Sequence, residues 1–254
     1  MRPGAPFQTR WVEASVVSQS CRLQSLSRPR IKNSGNRADA KTRIIRAAVD
    51  LFSERGIEEV SLRELTAKAN VNIAAVNYHF GSRSGLVEAV FEDVSEQVNR
   101  RRLKVLHAIL GPAAAAGVAP SLEAIVDAFI EPYLDESSSD MGALLARLIL
   151  KHRQAPTEMT RRLTRVHFDP MAEQFIGALA LAIADVELDE LVWRYMFMTS
   201  AVVLAVTDRR RGNRVSALSA GRLDAADARQ LRAALVRFLV GGLTAPVARP
   251  PAQS

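Results

Sequence analysis

The sequence predicts an all-α protein with an N-terminal and a C-terminal helical domain. Apolar residues recur at helical spacing through most of the chain. Polar residues that suit helix N-caps precede several of these apolar stripes, and no segment alternates apolar and polar residues as a half-buried strand would. With 254 residues and an apolar fraction of 48%, the chain can bury a sizeable core.

The first helix is predicted to follow a disordered extension of residues 1–38, where prolines, serines and arginines show no regular period. At Ala40 the pattern changes. From there to Gly56, which suits a helix end, one apolar stripe is formed by Ile44, Ile45, Ala48, Leu51 and Phe52.

A pair of short helices follows. Ser61 and Glu64 have the spacing of a capping box, and the helix that they open has Leu62, Leu65 and Ala69 on one face. Asn70 and Val71 form a turn, Asn72 caps a short helix to His79, and Gly81 ends it. Helix, turn and exposed helix in this order predict a helix-turn-helix motif whose second helix enters a DNA major groove. The alternative is an ordinary helix pair in a protein that does not bind DNA.

The connector to the second domain is predicted to run from Ser82 or Ser84 to about Leu110. Its charge run, Arg100, Arg101, Arg102 and Lys104, is interpreted as a solvated face. A joint rich in Ala, Gly and Pro follows at 111–120. The predicted domains are a helix-turn-helix DNA-binding domain at 39–85 and a helical ligand-binding and dimerisation domain at 86–245, with a flexible tail at 246–254.

The second domain contains five further predicted helical segments. Ser121 and Asp140 are the expected N-caps of the first two, and Pro170 is expected to kink or split the third. The segments are 121–132, 140–152, 157–185, 188–207 and 225–243, and a basic loop at 209–214 separates the last two.

Segment 188–207 is apolar on nearly every side, which an isolated surface helix would not tolerate. Together with 225–243 it is predicted to form the interface of a homodimer. Its most apolar run, 195–207, is shorter than the roughly 20 residues of a membrane span, so no membrane partner is predicted.

Charge and cysteine content suggest where the protein works. Residues 1–110 contain 18 Lys and Arg against 11 Asp and Glu, whereas residues 111–254 contain 16 of each. A basic half is expected to meet phosphate. Cys21 is the only cysteine, so no intrachain disulfide can form, and the start of the chain lacks a signal-peptide pattern. A cytoplasmic protein is therefore predicted.

The helix-turn-helix segment carries a family resemblance. Thr42 to Gly56, followed by VSLRELTAKANVNIAAVNYHFGSRSGL, resembles the DNA-binding domain of TetR-family transcriptional regulators. AVNYHFGSRSGLVEAVF is similar to the branch that contains the fatty-acid-responsive regulator PsrA, and GALLARLILKH, APTE and LVWRYMFM continue the likeness. The resemblance implies an all-helical homodimer that binds double-stranded operator DNA and a small-molecule effector.

The resemblance also implies the residues that contact DNA. Most members have tyrosine where this chain has Asn77, so operator preference cannot be transferred from them. Phosphate contacts position such a protein, whereas contacts to base edges select the sequence. The groove-facing set would be Asn72, Ile73, Ala74, Ala75 and Asn77, and the phosphate-contacting set would be Thr42, Arg43, Tyr78, His79 and Arg83.

A candidate ligand site is centred on His152. On a helix that starts at Met141, His152 falls in the middle of the apolar face, with Lys151 at its edge and Arg147 further round. It would be the polar end of a largely apolar site, although a satisfied core histidine is the alternative. The predicted lining residues are Phe129, Tyr133, Arg147, His152, Phe168 and Trp193, with Phe175 and Phe197 as further candidates.

The function predicted from these features is a ligand-responsive transcriptional repressor that acts as a homodimer on a palindromic operator. Its effector is predicted to be a fatty acid or an acyl-CoA. The alternatives are a drug- or metabolite-sensing repressor of an efflux gene and an architectural DNA-binding protein without an effector. No enzyme activity, cofactor or metal is predicted, because no nucleophile, base and orienting group recur at useful spacing, and neither His79 nor His167 and Asp169 have suitable partners.

Overall fold

A computed structural model describes residues 34–135, 140–209 and 214–247, and no strand occurs among them. The all-α prediction is therefore confirmed for this part of the chain. The N-terminal helices are α1 (Ser34–Arg55), α2 (Leu62–Ala69) and α3 (Ile73–Phe80), and they are followed by the long helix α4 (Arg83–Ala116).

The C-terminal helices are α5 (Leu122–Leu134), α6 (Met141–Gln154), α7 (Glu158–Leu163), α8 (Asp169–Ala182), α9 (Leu188–Asp208), α10 (Arg214–Leu218) and α11 (Ala228–Leu243). A π-helix, Thr164–Phe168, joins α7 to α8. The predicted disorder of residues 1–33 and most of the predicted tail and basic loop lie outside the described residues.

The helix ends follow local sequence where caps are strong. Ser61, Asn72, Ser82 and Ser121 each accept a hydrogen bond from the backbone N–H three residues on, as N-caps do. Asp140 is the N-cap of α6, as predicted, but it has a left-handed backbone and makes no side-chain capping bond. Helix α1 begins at Ser34, before the predicted start at Ala40.

Helix α4 is longer than its predicted end at Leu110. It continues through Pro112 to Ala116, and Gly117 ends it in the left-handed conformation at φ 65°. The alanines after Pro112 have high helix propensity. The helix therefore continues beyond Pro112, although proline has no backbone N–H to donate. The predicted joint is thus reduced to the few residues that follow Gly117.

The segment 157–185 is split, as the sequence predicted. Pro170 lies in the first turn of α8, where its missing N–H is tolerated. Just before it the backbone N–H of Asp169 donates to the carbonyl oxygen of Thr164, five residues back, so the chain makes a π-turn. Sequence position predicted the break but not its π geometry.

Helix α4 joins the two ends of the described fold. Near its start it packs against α3, and further along it packs against α5, α6 and α8. Its buried residues include Val90, Val94, Val98, Arg102 and Leu106, at four-residue steps. Gly142 in α6 has no room for a side chain, because a Cβ would collide with the backbone of Pro132 and Tyr133 in α5.

Helices α9 and α11 leave an apolar surface uncovered. Along α9 the exposed residues include Trp193, Phe197 and Leu204, and on α11 Phe238 is 70% exposed. Leu188–Thr207 is the one helix in the described part that is long and apolar enough to cross a membrane, and 39% of that window is buried inside the fold. This helix is therefore only partly covered within one protomer.

Candidate nucleic-acid interface

Helix α3 projects from a small platform and keeps most of its surface free. Asn72 caps it, its Oδ1 accepting from the backbone N–H of Ala75 at 2.9 Å. Val76 is its buried residue and anchors it to the platform. The exposed residues of the cap and helix are Asn72, Ile73, Ala74, Asn77 and Tyr78, and Ala75 and His79 are half-buried beside them.

The platform helix α2 has the predicted capping box. The Ser61 hydroxyl accepts from the backbone N–H of Glu64 at 3.2 Å, and Glu64 accepts from the backbone N–H of Ser61 at 2.9 Å. Arg55 at the end of α1 donates to the same carboxylate at 2.7 Å. The bond from Arg55 and those from Ser61 lower the pKa of Glu64 to about 2, so this carboxylate stays charged at neutral pH.

Two arginines predicted to contact phosphate also hold this domain together. Arg83 donates to the carbonyl oxygens of Val60 at 2.6 Å and Ile57 at 2.5 Å. Arg43 donates through Nε to the carbonyl oxygen of Ala69 at 3.2 Å, and it pairs with Asp39. Sequence reasoning missed these contacts because both arginines reach carbonyl groups that are distant in the chain.

The remaining predicted phosphate contacts lie at the surface of the same region. Thr42 is exposed on α1, and Tyr78 is 70% exposed on α3 with its ring edge against His79 at a centroid distance of 5.1 Å. Lys41, Arg46 and Arg63 are exposed on α1 and α2. These exposed cations give the domain a surface suited to a polyanion.

Comparison with known families agrees with this arrangement at both ends of the chain. Residues 44–90 match the family of bacterial regulatory proteins, tetR family. Residues 127–242 match the tetracyclin repressor-like C-terminal domain. The chain belongs to the TetR family of transcriptional regulators. Because the matched families and relatives are regulators, this TetR-family protein is not an enzyme, as the sequence predicted.

Curated relatives match between about a quarter and a half of the TetR-family protein. The transcriptional repressor Rv3405c of Mycobacterium tuberculosis is 38% identical over 64 residues, which are 25% of this chain and 34% of that protein. The regulator BetI of Escherichia coli is 26% identical over 132 residues, which are 52% of this chain and 64% of that protein. The chain thus spans less than two thirds of the length of either relative.

Solved structures share the fold at low identity. The TetR-family regulator PfmR from Thermus thermophilus aligns with a TM-score of 0.54 and 15% identity, over 79% of this chain and 97% of that one. A transcriptional regulator from Saccharomonospora viridis, solved in complex with choline, aligns with a TM-score of 0.56 and 14% identity, over 80% and 96%. At such identity the likeness establishes the fold alone.

Four of the six predicted ligand residues of the TetR-family protein lie in two aromatic clusters. In the first, Phe129 lies at the centre, with the rings of Tyr133, Phe175 and Tyr195 at centroid distances of 6.2, 5.3 and 6.0 Å. In the second, His152 stacks on Phe91 at 4.9 Å, and Phe168 lies 6.0 Å from Phe91.

His152 is half-buried, and its Nε2 is buried with no hydrogen-bond partner among the described residues. Burial, with a smaller contribution from the charge of Lys151, lowers the pKa of His152. The ring is therefore neutral at physiological pH.

The structure does not bring the other predicted ligand residues to His152. Arg147 donates through Nη2 to the carbonyl oxygens of Phe52 at 3.1 Å and Ser53 at 3.2 Å, so it contacts the end of α1. Lys151 pairs with Glu58 in the loop after α1. Trp193 is 61% exposed and stacks on Phe197. Arg147 and Lys151, the predicted cations at the rim of the ligand site, thus contact the helix-turn-helix domain instead. Trp193 faces outward.

No group of three or more His, Cys, Asp or Glu side chains among the described residues could hold a metal ion. His167 lies in the π-helix, and its Nε2 approaches a carboxylate oxygen of Glu92 at 3.8 Å. Both observations concern only the described part of the chain.

Proposed function

We propose that the protein is a ligand-responsive repressor that binds a palindromic operator as a homodimer. The observation that carries this proposal is the exposed, N-capped helix α3, anchored by the buried Val76 in a domain whose first two helices also carry exposed basic residues. A major groove about 12 Å wide accepts such a helix.

The exposed residues of α3 suit direct readout of bases. Ile73 and Ala74 can pack against thymine methyl groups, and the Asn77 amide can bond a base edge. Exposed cations such as Arg46 would contact phosphates without selecting sequence. We therefore infer that α3 selects the operator and that α1 and α2 add affinity that depends on salt.

A second copy of the chain is proposed to cover the apolar faces of α9 and α11. Trp193, Phe197 and Leu204 point away from the protomer core, and Phe238 on α11 does the same. An isologous contact repeats the same patch on both protomers, so these faces would pack as four helices across a two-fold axis. Such a dimer would place two α3 helices for successive major grooves, about 34 Å apart.

An amphipathic acid is the effector class that we propose to test first, in line with the resemblance to the PsrA branch. The aromatic box of the C-terminal domain already holds a cation of the chain itself, since the guanidinium of Arg102 lies over the rings of Phe129 and Tyr133. A quaternary ammonium such as the choline of the S. viridis structure would need that same kind of aromatic surface. This occupancy argues against the alternative sensor of cationic drugs.

We propose that the effector releases the protein from DNA by acting through α4 and α6. Arg147 contacts the last carbonyl groups of α1, and Lys151 pairs with Glu58, so a shift of α6 would move the platform of α3. The ligand need only favour the conformer in which the two α3 helices no longer fit successive grooves. A cytoplasmic location follows from this role.

Selection from random double-stranded DNA tests the proposal. Wild-type protein at moderate salt should enrich a near-palindromic site, and Asn77→Ala should alter base preference within each half-site. Recovery of DNA without any sequence preference would refute the repressor proposal. An enriched site whose binding responds to no acyl chain or drug would favour the architectural alternative.

A further inference from the structure

Arg102 is a buried cation with no carboxylate in salt-bridge contact among the described residues. Its side chain is 0% exposed in the middle of α4. Nε donates to the carbonyl oxygen of Phe129 at 3.1 Å, and Nη1 donates to Oδ1 of Asn99 at 3.0 Å. Nη2 is buried and has no hydrogen-bond partner in the same part of the chain. One edge of the guanidinium is therefore unsatisfied.

Neutral neighbours do not compensate a buried charge. The guanidinium carbon lies 4.5 Å from the ring centroid of Phe129 and 4.2 Å from that of Tyr133. Such stacking stabilises the cation, but removing an ion from water without a counterion remains strongly unfavourable. A structural role would be filled equally well by an apolar residue, because Arg102 continues the buried stripe of Val94, Val98 and Leu106.

A buried hydroxyl belongs to the same aromatic cluster as this cation. Tyr195 is buried with its ring 6.0 Å from that of Phe129, and its hydroxyl contacts the sulfur of Met171 at 3.8 Å. Burial raises the pKa of Tyr195 to about 12, against the opposing effects of the Arg102 charge and of a hydrogen bond with Thr199, so the phenol keeps its proton. To donate to a carboxylate, the hydroxyl would exchange the weak sulfur acceptor of Met171 for a stronger one. The surrounding side chains of Phe129, Phe175 and Met171 are apolar.

We propose that Arg102 is the anchor for the carboxylate of the effector, with its free Nη2 and the Tyr195 hydroxyl as donors. The apolar body of the acid would lie against Phe129, Phe175 and Met171. A monoanion suits this place because each buried charge must be desolvated, and a phosphate dianion costs more than a carboxylate. The effector is thus a free long-chain acid and not its CoA thioester, which lacks the carboxylate.

The same residues connect the anion site to the second aromatic cluster. Asn99, which accepts from Arg102, donates through Nδ2 to the carbonyl oxygen of His167 at 2.7 Å. His167 precedes Phe168, which lies beside Phe91 and His152. A guanidinium that turns toward a carboxylate would therefore pull on the π-helix. The role of the acid as an effector rests on the proposed function, whereas its binding at Arg102 does not.

Calorimetric titration of the full chain with dodecanoate, dodecan-1-ol and dodecanoyl-CoA tests the inference. Wild type should prefer dodecanoate to both others. A charge-assisted hydrogen bond predicts that Arg102→Met weakens dodecanoate binding by roughly tenfold to a hundredfold and leaves dodecan-1-ol binding unchanged. Arg100→Met, which removes an exposed arginine of the same helix, should change neither.

Thermal unfolding separates an anchor from a structural arginine. Ligand-free Arg102→Met should remain about as stable as wild type, because removing an uncompensated buried charge offsets the loss of the bonds to Phe129 and Asn99. A marked loss of stability or of folding would show that the guanidinium holds the bundle together and would overturn the inference. Tyr195→Phe provides a second test, because it should lower the affinity for dodecanoate severalfold and leave the affinity for dodecan-1-ol unchanged.

Two results distinguish this inference from the proposed function. In the first, dodecanoate binds wild type and Arg102→Met equally well and releases both from operator DNA to the same extent. In that case the repressor proposal stands and the Arg102 site is refuted. If dodecanoate binds through Arg102 but the protein has no sequence-specific operator, the site stands and the repressor proposal fails. Absence of dodecanoate binding to wild type would also refute the site.

Discussion

At the scale of single residues, several arginines donate to backbone carbonyl groups that are distant in the chain. Arg83 and Arg43 hold the helix-turn-helix together, and Arg194 donates to the carbonyl oxygens of Leu243 and Ala245 at the end of α11. A cation suits a helix C-terminus because the last carbonyls lack partners within the helix. Some of the positive charge of this protein therefore positions helices.

Arg83→Ala is predicted to lower the stability of the protein as well as DNA binding. The change leaves the carbonyl groups of Val60 and Ile57 without their donor, at a cost of about 1 to 3 kcal/mol. Arg46→Ala, at an exposed site on α1, should leave thermal unfolding unchanged and reduce the salt dependence of DNA binding by about one unit. Equal thermal stability of the two variants would contradict the structural role of Arg83.

His152 is predicted to make stability depend on pH. Its pKa in the folded protein lies below the ordinary value of 6.5, because burial disfavours the charged ring. Above pH 6.5 the ring is neutral in both the folded and the unfolded state, and burial carries no penalty. As the pH falls below that value, the unfolded chain takes up the proton first, so stability declines until the pH passes the lowered folded-state pKa.

Chemical denaturation between about pH 5 and pH 8, the range in which histidine titrates, would measure this effect. His152→Phe keeps a ring against Phe91 and should flatten the decline, whereas His107→Phe, at an exposed site, should retain it. A wild-type profile that His152→Phe leaves unaltered would assign the pH dependence to other groups.

The part of the site that sequence could predict is the part held by local contacts. The caps Ser61 and Asn72 satisfy backbone groups three residues away, so spacing alone identified them. The sequence places Arg102 in a charge run with Arg100, Arg101 and Lys104, and these three neighbours are indeed exposed, whereas Arg102 is buried. Its place in the stripe of Val94, Val98 and Leu106 was the available signal. The partners of Arg83 and Arg147 depend on tertiary packing and left no such pattern.

At the scale of helices, α6 contributes more to the fold than its predicted ligand face. Its side chains reach the DNA-binding end through Arg147 and Lys151, while Gly142 lets it approach α5 closely. The helix thus contacts both the core of the C-terminal domain and the last turn of α1. A displacement of α6 is the most direct way for a ligand to reach α3.

Arg147→Ala is predicted to weaken the coupling between effector and operator. Allosteric coupling typically amounts to about 1 to 3 kcal/mol, a change of roughly 5- to 150-fold in affinity. The variant should still bind the selected operator. Dodecanoate should release the variant from that operator less completely than it releases wild type. Arg153→Ala, on the same helix and exposed, should respond as wild type does. Undiminished release from Arg147→Ala would exclude this contact from the mechanism.

Two glycines in helices should respond oppositely to alanine. Gly142→Ala places a Cβ against the backbone of Pro132 and Tyr133, so α5 and α6 must separate and stability should fall. Gly177 in α8 has nothing within 4 Å of the added Cβ, and Gly177→Ala should stabilise by up to about 1 kcal/mol through helix propensity. Denaturant midpoints of the two variants would show whether the close helix contact is real.

At the scale of the whole molecule, the fold has one end that suits DNA and one face that suits a second copy. The sequence identified both helices of the proposed interface, but it could not tell which of their sides faces outward. Leu235, on the apolar stripe of α11, is 7% exposed and packs within the protomer, so a charge there would damage the core. Phe238, three residues on, is 70% exposed and is the better place to test association.

Phe238→Arg is predicted to give monomers that keep their fold. Charge on an exposed apolar face should not alter the protomer core, but it would be desolvated in a dimer without a partner. Leu181→Arg, at an exposed apolar site on α8, should remain dimeric. Circular dichroism would confirm that both variants are helical.

Two copies of α3, held together by α9 and α11, are proposed to read one operator. Analytical ultracentrifugation of the protein with the selected duplex, for wild type, Phe238→Arg and Leu181→Arg, tests this proposal most directly. Two protomers of wild type and of Leu181→Arg should bind one duplex whose half-sites lie about 34 Å apart, and Phe238→Arg should lose this specific complex. A single protomer bound with full specificity, or an undiminished Phe238→Arg complex, would contradict the account.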